Sequence, residues 1–270
     1  MSYIKRLDHA FESAPILPIT PQTKYVFFSD CHRGTGNNND NFLKNAGSYY
    51  AALQYYYQYG FCYIEAGDGD ELWENCTLEQ IMETHEDIFS QLRRFQKEGR
   101  LYMLYGNHDM IKKDLTPIFP NMKYYESLIL KSQTPPINLH VTHGHQADFL
   151  NSALWKLSRF LVRHLWTPLE YFGIQDPTSA AKNNTKKDKI EQKFIDYAKC
   201  SHCKFLAGHT HRPKLGNDLT PYYNSGSCVH PRCITCIELC GYQMHLVKWC
   251  ACKREVLAEE LLYSSSNIIY

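Results

Sequence analysis

Lys24-Tyr25-Val26-Phe27-Phe28-Ser29-Asp30-Cys31-His32 begins as a run of β-favouring residues and ends in a carboxylate and an imidazole two positions apart. The run is almost unbroken by polar residues, which suits a strand buried on both faces. With that spacing at a strand end, Asp30 and His32 can both point into one cavity. The same pattern recurs along the chain. Residues 61–66 run into Gly67-Asp68, and residues 101–105 into Gly106-Asn107-His108-Asp109. Residues 137–141 run into Thr142-His143-Gly144-His145, and residues 204–207 into Gly208-His209-Thr210-His211.

Helical signals lie between these runs. Thr77 and Gln80 form a capping box, with Thr77 as N-cap. Leu78, Ile81, Met82, Ile88, Phe89, Leu92 and Phe95 follow at helical spacing, and Gly99 supplies the stop. A second helix is predicted from Phe42 to Tyr59, closed by Gly60. Strands alternating with helices imply a layered α/β fold. Near the end, residues 234–239 and 242–249 flank Cys240-Gly241, which predicts a hairpin.

The segment 146–204 is too long for an ordinary loop. Phe149, Leu150, Ala153, Leu154, Leu157, Phe160, Leu161 and Leu165 give it an amphipathic helical face, with Lys156, Arg159 and Arg163 opposite. A charged stretch, Lys182 to Lys199, follows Pro177. The segment is expected to form a helical insertion that caps a site within one domain spanning 1–270. Its basic amphipathic character also suits peripheral contact with an anionic membrane or an acyl-phosphate substrate. Packing of the apolar face on the body is the plainer expectation.

Bulk properties narrow the field. A chain of 270 residues can bury a core without disulfides. A net charge of +1 argues against a whole-surface nucleic-acid binder, though not against a local basic patch. Residues 1–11 carry Lys5, Arg6 and Asp8 and no apolar core of a secretion signal. A cytoplasmic location is therefore expected, with the 11 cysteines as free thiols or small hydrophobes. Cys200, Cys203, Cys233 and Cys236 have zinc-ribbon spacing, but they bracket Gly208–Pro213, which belongs with the strand-end clusters.

Those clusters offer carboxylate, imidazole and amide oxygen, each at the carboxyl end of a predicted strand, where open α/β sheets place ligands. A pair of divalent cations needs one shared carboxylate and a few further donors each. Asp68 is preferred over Asp70 for the shared position because it ends its strand directly. His9, His85, His140, His164, His202, His230 and His245 belong to no cluster and are expected at the surface or in packing. Residues 34–39 are glycine-rich without a phosphate-loop pattern and suit a rim.

The five clusters, in order, resemble the calcineurin-like metallophosphoesterases. Asp30-Cys31-His32, Gly67-Asp68-Gly69-Asp70-Glu71, Gly106-Asn107-His108-Asp109, His143 and Gly208-His209-Thr210-His211 match that family's pattern between Asp30 and His211. The resemblance implies a layered α/β fold, a β-sandwich flanked by helices. It implies two divalent metal ions, manganese first with iron or zinc as alternatives. Asp30, His32 and His211 would hold one, Asn107, His143 and His209 the other, with Asp68 between. It implies cleavage of a phosphate ester or pyrophosphate by a metal-activated water, with His108 as acid and Asp109 orienting it. Arg33 would contact phosphate. His145 would do so or support its neighbour, and Arg212 would reach substrate or pin its loop.

Gly208 to Pro213 after a long insertion, together with Glu71-Leu72-Trp73, is similar in layout to the UDP-2,3-diacylglucosamine hydrolases. Those enzymes carry Gly-Asn-Arg-Asp where this chain has His108, so a nucleotide-linked or lipid-linked substrate is one expectation among several. A nuclease or a protein phosphatase of the same fold would carry the same clusters. A non-catalytic scaffold would be expected to have lost some of them.

Overall fold

The computed structural model describes residues 1–37, 40–73, 77–148, 160 and 184–263. It is a mixed α/β structure with two mixed sheets and flanking helices. The seven-stranded sheet has the order β12-β11-β10-β2-β3-β4-β5 and the five-stranded sheet the order β1-β6-β7-β8-β9. In the first sheet β2 (Lys24–Phe28), β3 (Cys62–Ala66), β4 (Leu101–Leu104) and β5 (Tyr124–Tyr125) run parallel. Strands β10 (Ile234–Cys240), β11 (Gln243–Cys250) and β12 (Lys253–Leu261) add antiparallel pairs. In the second sheet β1 (Ile16–Pro18) pairs with β6 (Ser127–Ser132), and β7 (Ile137–Thr142), β8 (Lys204–Ala207) and β9 (Tyr222–Asn224) follow.

β2 is apolar on both sides because both sides are covered. Val26 and Phe28 face a cluster that holds Tyr49, Leu53, Ile88, Leu92 and Phe95 from the helices. Tyr25 and Phe27 join a second cluster with Leu128, Leu139, Val141 and Leu206 of the other sheet. Burying each such side chain stabilises the fold by roughly 1.5–3 kcal/mol. A third cluster places Leu7 and Phe11 of α1 (Tyr3–Phe11) with Phe194 of α5 (Asn184–Cys200) and Phe205.

The expected helix after Thr77 is two helices, α3 (Leu78–Thr84) and α4 (Glu86–Lys97). The capping box is present as predicted. The break falls at His85, whose backbone leaves the helical region at φ −117, ψ 40. Its ring is buried against Phe42 and lies 3.3 Å from Asp40, so tertiary contacts outweigh continuity of the helix. The helix predicted over residues 42–59 is a short 3-10 turn, Leu43–Asn45, leading into α2 (Ala46–Gln58). The hairpin at Gly241 pairs β10 with β11 as expected.

Only part of the segment 146–204 is described. The amphipathic helix expected from Phe149 to Leu165 lies outside the described residues, Phe160 apart. α5 buries Ile190, Phe194, Ile195, Tyr197 and Ala198. Among the described residues no helix is long and apolar enough to cross a membrane. The described cysteines are all free. Cys203 and Cys236 sit in separate clusters, so no ribbon forms from them.

Candidate metal centre

All five strand-end clusters meet at one place. β2, β3 and β4 are adjacent and parallel, and so are β7 and β8, so their carboxyl ends present Asp30, Asp68, Asn107, His143 and His209 together. Asp30, His32 and His211 each offer a ligand atom within 4.8 Å of the others, and so do Asp68, His143 and His209. His211 Nε2 is 3.0 Å from Asp30 Oδ1 and 3.3 Å from His32 Nε2. His143 Nε2 is 3.1 Å from Asp68 Oδ2 and 3.2 Å from Asn107 Oδ1. Asp68 links the groups, because its Oδ2 is also 3.8 Å from His32 Nε2.

Backbone strain concentrates here. Asp30, His32, Asp68, His209 and His211 all have φ between 47° and 64°, in the left-handed region. Such non-glycine residues cost about 1–3 kcal/mol each and persist only where the surroundings fix them. The glycines of the clusters have a packing reason. A Cβ on Gly67 would lie 2.6 Å from the His143 side chain, and one on Gly106 would lie 2.2 Å from Asp68 Oδ1. Both permit the donors to converge.

The site histidines divide: His32 and His143 are shifted up, whereas burial shifts His209 and His211 down. Burial works against a charged His32, yet Glu71, Asp68 and Asp30 outweigh it and raise its pKa to about 10. Burial likewise opposes charge on His143, but Asp68 and Asp30 raise it to about 9. Asp30 is lowered to about 2 because His211 and His143 overcome its desolvation. His209 Nε2 is buried with no hydrogen-bond partner. A buried imidazole nitrogen left in this way, beside carboxylates and an amide oxygen, fits a divalent cation.

Two expected roles are corrected. Arg33 is fully buried and does not face a ligand. It gives two hydrogen bonds to Glu65, at 2.8 and 3.0 Å, and one to Asp70 at 2.7 Å. Asp109 does not orient His108. It accepts from the backbone N–H of Asp68, Gly69 and Gly106 and from Lys112 Nζ at 2.6 Å, so it braces the turns that carry Asp68 and Asn107. Of the two roles open to Arg212, the geometry fits pinning of its loop, through a 2.6 Å hydrogen bond to Asp188 on α5. His145 is buried, with its ring centroid 5.7 Å from that of His143. Asp70, the competitor for the shared position, is turned into Arg33 and Lys112.

Glu71 is the residue whose part the sequence left unassigned. Its carboxylate takes Nδ1 of His32 at 3.0 Å and Nδ1 of His108 at 2.9 Å. Trp73 stacks on the His108 ring at 4.4 Å. Glu71 stands in the Gly-Asp-x-x-Glu motif, which was the available signal. Asp148, five residues after His143, was also missed. Its Oδ2 lies 3.9 Å from His209 Nε2 and 2.7 Å from Lys186 Nζ.

No family model matches the chain, and no curated protein matches it by sequence. Among solved structures, the cold-active protein-tyrosine phosphatase of a psychrophilic Shewanella sp. aligns over 90% of this chain and 82% of its own, at 14% identity and a TM-score of 0.40. A point mutant of a cold-active protein tyrosine phosphatase gives a TM-score of 0.41 over the same shares, also at 14% identity. The 5'-nucleotidase from Candida albicans SC5314 aligns over 83% of this chain and 48% of its own, at 10% identity and a TM-score of 0.32. Likeness of that degree says nothing about activity, which has to be read from the side chains themselves.

Proposed function

We propose that the chain is a two-metal phosphohydrolase that cleaves a phosphate ester or pyrophosphate. The observation that carries this reading is the place of Asp68, with one carboxylate oxygen 3.1 Å from His143 Nε2 and 3.8 Å from His32 Nε2. It stands between two donor groups that converge from both sheets. Asp30, His32 and His211 would hold one cation and Asn107, His143 and His209 the other, with Asp68 shared. Mixed imidazole, carboxylate and amide donors suit manganese, iron or zinc. When bound, two such ions supply positive charge for the phosphoryl oxygens and an acidified water.

The chain's own residues do the rest. The His209 N–H donates to Asp30 at 3.0 Å, and the Ser29 hydroxyl donates at 2.5 Å, which holds that carboxylate in one orientation. His143 Nδ1 faces the Ala66 carbonyl at 3.1 Å, so it carries the proton and Nε2 presents its lone pair to the site. His108 directs Nδ1 to Glu71, which leaves Nε2 to exchange a proton with the leaving oxygen. Burial disfavours charge on His108, but Glu71 and Asp68 outweigh it and raise its pKa.

Lys186 pairs with Asp148, and Arg212 with Asp188. The net charge of +1 favours a small or lipid-linked phosphorylated substrate over a nucleic acid, which calls for a continuous basic track. The test is hydrolysis of p-nitrophenyl phosphate, bis-p-nitrophenyl phosphate, a UDP-sugar lipid and single-stranded DNA, with added manganese. Turnover of one of the first three is expected. A metal-loaded chain inert toward all four would overturn the reading in favour of a scaffold.

A further inference from the structure

The end of β2 remote from Asp30 carries a second group of metal-binding side chains. Cys240 pairs with Lys24, the first residue of β2. Lys24 opens β2 six positions before Asp30, roughly 20 Å of extended chain. Glu238 and Cys240 are alternate residues of β10 and share a face, and His245 of β11 lies opposite Glu238. One ligand atom from each of the three lies within 4.8 Å of the others.

Ordinary packing accounts for Glu238 but not for His245. Glu238 Oε1 accepts from Arg254 Nε and the Tyr56 hydroxyl, each at 2.7 Å, and Oε2 accepts from Arg254 at 2.6 Å. Oε2 therefore keeps an open acceptor position. His245 Nδ1 is buried and has no hydrogen-bond partner, while Nε2 is 3.9 Å from Glu259. Glu259 comes opposite His245 through an irregularity: the β11–β12 register shifts between Leu246 and Val247, and Leu257 takes no partner. Without that shift Ala258 would stand there. A thiol, an imidazole and two carboxylates thus share one corner of the sheet.

We propose that Glu238, Cys240 and His245 form a binding site for one zinc-class divalent cation, with the fourth position left to solvent. Tetrahedral zinc sets its donors about 3.5 Å apart, so these side chains need to close by about an ångström. Burial and Glu238 push the Cys240 thiol up to about 11, so alkylation of the free thiol is slow but quickens as pH rises. A cation that takes the sulfur must release that proton to solvent, one proton per ion, so affinity rises with pH. The bound ion would pin the β10–β11 hairpin next to β2.

The centre at Asp68 offers only nitrogen and oxygen donors, so cobalt distinguishes the two sites. The full chain loaded with Co²⁺ is expected to show a thiolate-to-cobalt charge-transfer absorption in the near ultraviolet. Cys240→Ser should abolish it, His245→Ala should weaken cobalt affinity at least tenfold, and Asp68→Asn should retain it. No such absorption at saturating cobalt, or one that survives Cys240→Ser, would overturn the proposal. In the unaltered chain, Zn²⁺ should also protect Cys240 from alkylation, read by peptide mass. Labelling unchanged by zinc would count against the site independently of any variant's folding.

Discussion

The carboxylate of Glu71 takes Nδ1 of His108 at 2.9 Å, and Trp73 stacks on the face of that ring. The imidazole is therefore fixed in tautomer and in plane. His108→Ala should lower kcat about 10²- to 10⁴-fold, the usual worth of a placed proton donor. Metal content should stay unchanged, because no donor of the centre is removed. Glu71→Gln should lower kcat less and also weaken metal binding, since Glu71 holds His32 at 3.0 Å. Steady-state kinetics beside elemental analysis separates the two. A His108→Ala variant with the parent's kcat would remove this residue from the chemistry.

Beneath the centre lies a buried cage of charge. Arg33 and Lys112 are enclosed with Glu65, Asp70 and Asp109, all fully buried. Lys112 Nζ is 2.6 Å from Asp109 and 2.7 Å from Asp70. Removing one partner of such a group leaves uncompensated charge in a dry interior. Lys112→Met should cost about 3–5 kcal/mol of stability in urea unfolding. Arg33→Met should lose stability likewise rather than raise KM, the opposite of what a phosphate contact would show.

What could be read from the sequence, and what could not, divides along physical lines. The central strands were legible because each is buried on both faces and so reads as an apolar run. The peripheral strands were not. Residues 253–261 include Glu255, Leu257, Ala258, Glu259, Glu260 and Leu261, all good helix formers, yet they form the exposed edge strand β12 because β11 offers a pairing partner. The break at His85 depends on Asp40, which lies far away in sequence.

The positions of the clustered residues were legible at the level of the motifs, because the strand ends deliver them together. The direction of each side chain was not. Arg33 follows His32 and looks as though it should face a ligand. Whether it does depends on Glu65, a carboxylate inside the apolar strand β3 that requires a buried cation. That lone acid was the missed signal.

His140 makes stability sensitive to mild acid. Burial and Lys131 lower its pKa from 6.5 to about 4, with Asp8 opposing. Its Nδ1 has no hydrogen-bond partner, and the ring packs 4.4 Å from Phe11. The folded state prefers the neutral ring, so the unfolded chain binds the proton first. Its contribution is fully present above pH 6.5 and is lost as pH falls toward 4. It amounts to about 2 kcal/mol after discounting for partial exposure. Urea unfolding at pH 7.5 and 4.5 should show His140→Phe losing less stability on acidification than the parent chain. Equal losses would mean that other groups carry the acid response.

Gly67 precedes Asp68 with φ 89°, and a Cβ there would lie 2.6 Å from the His143 side chain. Gly67→Ala therefore asks two things of the site at once. The backbone must stay in a region that L-residues avoid, at about 1–3 kcal/mol. His143 must also retreat, although Ala66 and Asp68 hold its two nitrogens. The expected outcome is a folded chain with lowered stability that has lost one of two metal equivalents, the one assigned to Asn107, His143 and His209. Elemental analysis after dialysis against manganese should give a ratio near one, compared with two for the parent. A Gly67→Ala chain that keeps both equivalents would show that His143 is not needed for the second ion.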